Sequence, residues 1–410
     1  MNGLERDRPA HLIYTDKLGH QLELDVDSGQ ELSAVLRLHQ IPRSAIISRR
    51  DGRDIIIEDE VILPGETITL EMNRGYDLLR VIHAPTTVHE VESPVYSKSF
   101  LWFQGDQLSK RTQQYDQTTF AQYFESTFLQ SQLEDGIISK GDKVALGLSG
   151  GRDSVCFLVA WERVKEQLPD HRLVAITLRG LPDWDDRIAL GYCERLAKRF
   201  GVEHHVVDPQ EIQERFHLKH SFLETMDRLL KTADSDYVIA IGHHAIRVML
   251  HRAGLVAGAN KIALALNLED VLGNVLGAYS SGYMVGSVPV RRVGDIDYIY
   301  PLWLFPKKEV NLYLFLTANE FTKQGPPSRF DIGPAVRHHM YALADTIQEV
   351  WPGGEHHLLE AYRRLQRLWD SQMKFVTCSS CEAPIVDIGQ VTAMCDFCNL
   401  FDKYGLLKSG

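Results

Sequence analysis

The sequence lacks any apolar run long enough to cross a membrane. About 18 consecutive uncharged apolar residues would be needed, and none occurs among the 410 residues. The opening segment MNGLERDRPAHLIY also lacks the apolar stretch of a secretory signal. Hydrophobic residues make up 44% and charged residues 24%, an ordinary balance for a globular protein. We therefore expect a cytoplasmic protein of two or three domains.

Excess positive charge is also missing, because the formal net charge is −11. This value argues against a generally basic nucleic-acid coat, although a local patch of Lys and Arg could still contact phosphates. Cysteine is scarce, with six in the chain, and four of them fall between positions 378 and 398. In a cytoplasmic protein such clustering indicates a metal site rather than disulfides.

The first block of the chain, residues 1–83, has the pattern of a small β-rich domain. Residues 11–14 and 21–26 alternate as the strands of a hairpin do, and Leu32, Val35 and Leu36 recur at helical spacing. Strand-like runs follow at 45–47, 54–57 and 67–72. In element order the block resembles the ubiquitin-like β-grasp fold of small sulfur-carrier proteins. Such carriers use a free C-terminal Gly-Gly, which this block lacks, so a docking or architectural role is favoured over a carrier role.

Residues 84–118 are predicted to be a connector, with residues 100–103 packing on a neighbouring domain. The block from 119 to 345 alternates predicted strands at 143–148, 172–178, 202–207, 237–241 and 261–266 with predicted helices at 154–161 and 188–200. This order predicts an α/β domain with a parallel sheet covered by helices on both faces. Residues 346–410 are predicted to form a C-terminal helix followed by a zinc ribbon.

A glycine-rich loop leaves the first strand of the α/β block and opens its first helix. The loop consists of Leu148, Ser149, Gly150, Gly151, Arg152, Asp153 and Ser154. Free backbone N–H groups and the helix dipole favour anion binding at such a position. The two glycines let the backbone approach a phosphate, the serines offer hydroxyl donors and the arginine adds positive charge. Asp153 cannot bind phosphate, so it would hold Mg²⁺ or fix the loop.

The loop sequence distinguishes between two kinds of phosphate loop. No Gly-Lys-Ser/Thr follows a four-residue gap, so it is not the P-loop of kinases and GTPases. Ser-Gly-Gly-x-Asp-Ser instead resembles the PP-loop of the ATP pyrophosphatases, whose fold is the parallel-sheet, HUP-like α/β fold. The resemblance implies ATP and Mg²⁺ as cofactors. It also implies that AMP is transferred to an oxygen of the substrate and is then displaced by a nucleophile.

Later segments resemble the tRNA 2-thiolation subgroup of PP-loop enzymes. These are Lys140–Val144 before the strand, Gly258–Asp270, Tyr300–Leu302 and Pro306–Val310. The resemblance implies tRNA as a partner. A homodimer is one expected assembly, and the lack of a long apolar run argues against a membrane partner. The resemblance places Asn267 with the cofactor-binding residues 148–154, and Asp153, Ser154 and Asp270 in catalytic roles. One family Asp is replaced here by Glu269.

The subgroup's sulfur-handling cysteines are missing from their expected positions. In the family these cysteines hold an iron–sulfur cluster or carry a persulfide, and the corresponding residues here are Ala240, His243 and Gly325. We therefore expect no iron–sulfur cluster and an external sulfur donor, either a persulfide or a carrier thiocarboxylate. His243 and His244, expected in one loop, could bind metal or phosphate or act as an acid or base, but a packing role is also open.

The six cysteines fall into two groups. Cys156 and Cys193 have apolar neighbours in the sequence and are interpreted mainly as core residues. Cys378-x-x-Cys381 and Cys395-x-x-Cys398 form two knuckles that can complete a tetrahedron of thiolates. All four positions would be filled, so the expected ion is a structural Zn²⁺, with a rubredoxin-like iron as the alternative.

Three functional hypotheses follow. The first is an ATP-dependent, AMP- and pyrophosphate-forming enzyme that thiolates or otherwise modifies tRNA. The second keeps ATP but uses an amine nucleophile, as in the tRNA lysidine branch, or a substrate other than tRNA. The third is a non-catalytic partner or regulator of a sulfur-transfer system.

Overall fold

A computed structural model describes most of the chain. The described residues are 9–15, 21–39, 46–55, 61–72, 96–104, 107–181, 186–281, 288–319, 340, 343–348, 351–370, 374–386 and 394–408. Gly325, one of the positions compared above with the family cysteines, lies outside them. No helix in these ranges is long and apolar enough to span a bilayer.

The first block forms a mixed five-stranded sheet with one helix. Its elements are β1 (Ala10–Thr15), β2 (Gln21–Val26), α1 (Leu32–Leu38), β3 (Ile46–Arg50), β4 (Arg53–Asp54) and β5 (Thr67–Met72). The strand order is β2-β1-β5-β3-β4, with β1 antiparallel to β2 and parallel to β5. Alternate residues of the strands and one face of α1 bury a small separate core, which includes Leu12, Leu32, Val35 and Ile68.

The connector is more ordered than its polar composition indicates. Its second half is an antiparallel hairpin of β6 (Tyr96–Gln104) and β7 (Gln107–Tyr115). Burial alternates along β6, where Tyr96 and Lys98 are buried and Ser97 is exposed. The Leu101 N–H donates to the Pro352 carbonyl at 2.7 Å, so this segment does pack on the main domain. The predicted connector thus contains a hairpin at residues 96–115, and its bounds of 84–118 stay a prediction.

The second block is built on a six-stranded sheet. Its strands are β8 (Lys143–Gly147), β9 (Arg172–Leu178), β10 (Glu203–Val207), β11 (Lys261–Ala263), β12 (Val290–Val293) and β13 (Ile296–Ile299). The order is β10-β9-β8-β11-β13-β12, and every pairing is parallel except that of β12 with β13. The predicted parallel α/β sheet is therefore confirmed, with β8 near its centre.

Helices cover both faces of this sheet. They are α2 (Gln117–Glu134), α3 (Arg152–Val164), α4 (Asp186–Arg199), α5 (Pro209–Arg215), α6 (Phe222–Leu229), α7 (Val238–Val256), α8 (Leu268–Ser281) and α9 (Lys307–Ala318). One apolar cluster is centred on α2, α3 and α9, where the Phe124 ring stacks on Tyr313 with centroids 4.1 Å apart. A second cluster lies between α5, α6, α7 and the C-terminal elements.

The strand predicted at 237–241 is wrong. A 3₁₀ turn at Ser235–Tyr237 leads into the 19-residue helix α7. Val238, Ile241, Ala245 and Val248 are buried at helical spacing. A short apolar run does not by itself distinguish a strand from a buried helix, which explains the error. Consequently His243 and His244 lie on a helix and not in a loop.

The C-terminal part packs on both apolar clusters: its first helix contributes Leu359 and Tyr362 to the first cluster, and the cysteine-bearing segment belongs to the second. It consists of α10 (Gly354–Asp370), β14 (Phe375–Thr377), β15 (Pro384–Val386) and α11 (Asp396–Lys403). The Lys219 N–H donates to the Leu406 carbonyl at 2.9 Å, and the Lys408 N–H donates to the His217 carbonyl at 2.7 Å. The cysteine-bearing segment is therefore hydrogen-bonded to the loop that joins α5 to α6.

Candidate functional site

The glycine-rich loop leaves the carboxyl end of β8 and begins α3, as the sequence predicts. Gly150 has φ +71°, a left-handed conformation that favours glycine. A Cβ atom at this position would lie 3.1 Å from Cδ1 of Tyr192 and 3.2 Å from Sγ of Cys193. Backbone conformation and crowding beneath the loop therefore both require glycine. The loop ends at the N-terminus of α3, a position that favours anions.

The two loop serines hold the turn in shape. Ser149 Oγ accepts a hydrogen bond from the Gly151 N–H at 3.1 Å and lies 3.2 Å from Ser154 Oγ. Ser154 Oγ donates to the Gly151 carbonyl at 2.9 Å. Below the loop, the Thr177 hydroxyl of β9 donates to the Leu148 carbonyl at 2.8 Å. The loop is thus preorganised by its own side chains and by the neighbouring strand.

Asn267 joins the loop to the segment after β11. Its amide Nδ2 donates to Asp153 Oδ1 at 3.4 Å, and its Oδ1 accepts from the Asp270 N–H at 3.0 Å. Asn267 is fully buried, so its orientation is fixed by these partners. Burial and the nearby Asp270 carboxylate raise the pKa of Asp153 to about 6. Two carboxylates that repel each other beside a phosphate-binding loop form a chemically suitable place for Mg²⁺.

Lys307 and Gln348, for which the sequence predicted no role, lie beside Glu269 at this edge of the sheet. Lys307 opens α9, and its charge acts against the rise in the pKa of Asp153. The Lys307 N–H donates to the Glu269 carboxylate at 2.8 Å, and the Gln348 amide donates to it at 3.3 Å. Burial, followed by the charge of Asp345, raises the pKa of Glu269 to about 7. The segment Pro306–Val310 resembles the family in sequence, but that resemblance does not predict the contact between Lys307 and Glu269.

The structure brings together the residues predicted for cofactor binding and catalysis. Residues 148–154, Asn267 and Asp270 meet at the carboxyl edge of the sheet. Cys156 and Cys193 are fully buried, and burial raises the pKa of each thiol above its ordinary value. Both are core residues, and Cys193 packs directly under the loop.

The four C-terminal cysteines form one group. Their sulfurs all lie within 4.8 Å of one another, and Cys381 Sγ and Cys395 Sγ are 3.8 Å apart. A tetrahedral ion with metal–sulfur bonds of about 2.3 Å requires sulfurs about 3.8 Å apart, so this spacing suits one thiolate-bound ion. The Cys398 N–H points at Cys395 Sγ at 3.5 Å, as expected in a cysteine knuckle, and the Cys395 N–H points at Cys378 Sγ of the other pair at 3.2 Å. Burial of all four side chains also fits a structural centre.

His244 lies against this group, whereas Ala240 is on the solvent side of α7. The His244 Nε2 atom is 3.9 Å from Cys381 Sγ and 3.7 Å from Cys395 Sγ. The His244 ring packs on Phe397, with centroids 4.7 Å apart. The sequence suggested a metal role for the histidine pair, but it did not indicate that the partners would be the C-terminal cysteines.

Comparison with known proteins relates the sequence of this chain to sulfurtransferases. No family model matches the chain. It is 23% identical over 274 residues to a probable sulfurtransferase of Methanocaldococcus jannaschii, a match that covers 64% of this chain and 75% of that protein. It is 25% and 26% identical to the tRNA-cytidine(32) 2-sulfurtransferases of Psychromonas ingrahamii and Colwellia psychrerythraea. These two matches cover 51% and 39% of this chain, but only 63% and 46% of the relatives' own lengths.

The chain is an enzyme similar in sequence to sulfurtransferases. Its fold is similar to that of the U34-tRNA thiolase NcsA from Methanococcus maripaludis, with a TM-score of 0.56 and 20% sequence identity. The similarity covers 72% of this chain and 93% of the thiolase. Because the shared part includes most of the thiolase, the comparison confirms the PP-loop-like α/β fold expected from the loop motif.

The cofactor prediction needs correction. The sequence led us to expect no iron–sulfur cluster, yet the NcsA structure with this fold carries a [4Fe-4S] cluster. The chain also has four cysteines grouped closely enough to bind a metal. The expectation considered only the positions of the family cysteines, whereas folding brings other thiolates against α7 beside His244. The absence of cysteine from Ala240 and His243 therefore does not exclude iron, and the thiolate centre is not restricted to zinc.

Proposed function

We propose that the protein thiolates a base of tRNA in an ATP-dependent reaction that releases AMP and pyrophosphate. The observation that carries this proposal is the convergence of the PP-loop, Asp153, Asn267 and Asp270 at one edge of the sheet. The similarity to tRNA 2-sulfurtransferases supports tRNA as the substrate and sulfur as the transferred element.

The loop would bind the phosphates of ATP. The helix α3 begins at Arg152, and no side chain caps its first N–H groups at Gly151. These groups stabilise the negative charge that develops on the departing pyrophosphate. Ser149 and Ser154 hold the turn and so keep the donors in place.

The two carboxylates would hold Mg²⁺ against the phosphates. Burial and the neighbouring Asp270 raise the pKa of Asp153, and a divalent ion between the two carboxylates would relieve their repulsion. Asn267 orients Asp153 by donating from its side-chain amide, and it orients Asp270 by accepting a hydrogen bond from the Asp270 backbone N–H. Asn267 therefore acts as a positioning residue in this arrangement.

The sulfur would come from an external donor, either a persulfide or a carrier thiocarboxylate. All six cysteines of the chain are buried. Cys156 and Cys193 have raised thiol pKa values, which disfavours the nucleophilic thiolate. The other four belong to the metal group. A carrier thiocarboxylate would attack the adenylated carbon of the base through its sulfur, and AMP would leave with the former carbonyl oxygen. Hydrolysis of the acyl–sulfur bond would then release the carrier as a carboxylate and leave the thionucleoside. With a persulfide donor, a second thiol would have to reduce the remaining S–S bond and form a disulfide with the donor's sulfur.

We also infer that residues 1–83 form a β-grasp docking domain and not a sulfur carrier. The strand order β2-β1-β5-β3-β4, with parallel central strands β1 and β5, supports this inference. The remaining proposed boundaries are 119–345 for the ATP-using domain and 346–410 for the C-terminal helix with the metal-binding ribbon.

The test is to incubate the full chain with ATP, Mg²⁺ and bulk tRNA and to measure AMP, pyrophosphate and thionucleosides. Release of AMP should depend on tRNA. The Asp153→Asn variant keeps the side-chain shape but loses the charge that holds Mg²⁺, so its rate should fall by about 10²–10³-fold. Asp170→Asn is the control, because Asp170 precedes β9 at the opposite edge of the sheet. AMP release that needs no tRNA, or an Asp153→Asn variant as active as the control, would sink the proposal.

A further inference from the structure

The four-cysteine group has a neighbour that comes from a distant part of the chain. His244 lies on α7 of the ATP-using domain, more than 130 positions before Cys381 and Cys395. Its Nε2 is 3.9 Å from the first sulfur and 3.7 Å from the second, and the two sulfurs are 3.8 Å apart. The three atoms therefore form a nearly equilateral triangle, with the nitrogen over one edge of the thiolate group.

The chemistry of the pair determines which atom donates. A metal-bound thiolate has no proton and can only accept a hydrogen bond, whereas neutral imidazole carries one N–H. The contact is therefore favourable only for the tautomer with the proton on Nε2, shared between the two sulfurs. A tetrathiolate site with a divalent ion also has excess negative charge, which an N–H donor reduces.

The surroundings of His244 hold the ring in this position. It packs on Phe397, which lies between Cys395 and Cys398 in the sequence, and meets Phe216 edge-on with centroids 6.1 Å apart. Phe216 in turn meets Phe401 of α11 edge-on, with centroids 6.1 Å apart. Rings from α11 and from the end of α5 thus surround the imidazole, so its orientation is set by packing as well as by the sulfurs.

We propose that His244 is an outer-shell donor of the thiolate metal centre, giving its Nε2–H to Cys381 and Cys395. In this role it tunes the metal site and joins the C-terminal ribbon to the helix that packs on the catalytic sheet. The inference does not depend on the reaction, because it concerns metal binding by the chain itself.

The test uses Co²⁺ bound to the full-length chain. His244→Phe keeps an aromatic ring between Phe397 and Phe216 but has no donor, whereas His244→Gln retains an N–H near the position of Nε2. His251→Phe is the matched control, since His251 lies on the same helix and contacts Tyr298 at 3.1 Å. Co²⁺ affinity is measured by competition with a colorimetric chelator, and the sulfur-to-cobalt charge-transfer band is recorded for each variant.

His244→Phe should weaken Co²⁺ binding about 10- to 100-fold, the usual effect of losing an outer-shell partner. Its charge-transfer band should move to longer wavelength, because the sulfur electrons are no longer stabilised by a hydrogen bond. His244→Gln should restore much of both properties, and His251→Phe should match the wild type.

Three outcomes would overturn the proposal. One is a His244→Phe variant that binds Co²⁺ with unchanged affinity and an unchanged band. Another is a wild-type spectrum of three sulfurs and one nitrogen that becomes all-sulfur in His244→Phe, since that would make His244 a direct ligand. The third is failure of His244→Gln to recover any affinity, which would assign the effect to the imidazole ring.

Discussion

Individual residues of the phosphate loop are determined by backbone geometry as much as by ligand chemistry. Gly150 combines a left-handed backbone with close neighbours, because an added Cβ would lie 3.1 Å from Tyr192 and 3.2 Å from Cys193. Gly258, at the end of α7, has almost the same φ of +69° but nothing within 4 Å of a Cβ. Comparing substitutions at the two positions therefore separates two losses of unfolding free energy. One comes from the left-handed backbone, and the other comes from crowding under the loop.

The Gly150→Ala variant should no longer bind ATP detectably, whereas the Gly258→Ala variant should bind it like the wild type. Both variants should lose about 1–2 kcal/mol of unfolding free energy, because a side chain disfavours the left-handed region. Gly150→Ala should lose more, since Tyr192 or Cys193 must move. Urea denaturation and calorimetric titration with ATP measure the two effects. Equal ATP affinity in both variants would contradict the role given to the loop backbone.

Among the elements, the β6–β7 hairpin is fastened to the catalytic domain by a buried polar cluster. Lys98 Nζ lies 2.7 Å from Glu309 Oε1 of α9, and it donates to the Tyr123 hydroxyl at 2.6 Å. The Tyr96 hydroxyl donates to the same carboxylate oxygen at 2.9 Å. Glu309 is fully buried and Lys98 nearly so, which means that each charge depends on the other.

Lys98→Met should destabilise the protein by about 3–5 kcal/mol, because it leaves a buried carboxylate without its cation. The double variant Lys98→Met/Glu309→Gln should be less destabilised than the sum of the single variants. Arg292→Met is the control, since Arg292 and Asp297 form a more exposed pair at 3.1 Å. Urea unfolding of the wild type, the Lys98→Met and Glu309→Gln single variants, the double variant and the Arg292→Met control gives the five free energies. Additive effects, or a Lys98→Met loss no larger than the control's, would contradict the coupling.

For the whole molecule, the thiolate group is part of a large core and not of an independent tail. The four cysteines share an apolar cluster with Phe216, Phe222 and Met249. Lys403 and Tyr404 of the ribbon reach Asp234, and Arg215 pairs with Glu382. A metal ion held by the four cysteines would therefore stabilise the ribbon and the α5–α7 side of the catalytic domain together.

Removal of the metal with a strong chelator should expose more than the ribbon. We expect faster amide hydrogen exchange in residues 374–408 and also in α5 and α6, because both sides of the shared core lose support. A Cys378→Ser variant should show the same pattern before chelation and little change after it. Faster exchange restricted to residues 374–408 would show that the ribbon folds separately.

Much of the fold and part of the site could be predicted from the sequence, because their signals are local. Ser149–Ser154 carries its own turn chemistry, and the strands around it follow from apolar runs between helical segments. The two Cys-x-x-Cys knuckles likewise indicate a metal group by spacing alone. Such patterns failed where one run suits two structures, as at 237–241, and where burial alternates within a polar stretch, as in β6.

The sequence by itself determined the phosphate loop, the parallel sheet and the grouping of four cysteines, since each depends on neighbours along the chain. Tertiary structure alone decided that Asn267 reaches Asp153, that Lys98 is buried with Glu309 and that His244 meets Cys381 and Cys395. Those contacts join positions more than 100 residues apart. They exist because packing of the helices and the ribbon against the sheet brings distant side chains within hydrogen-bond distance, which no local pattern encodes.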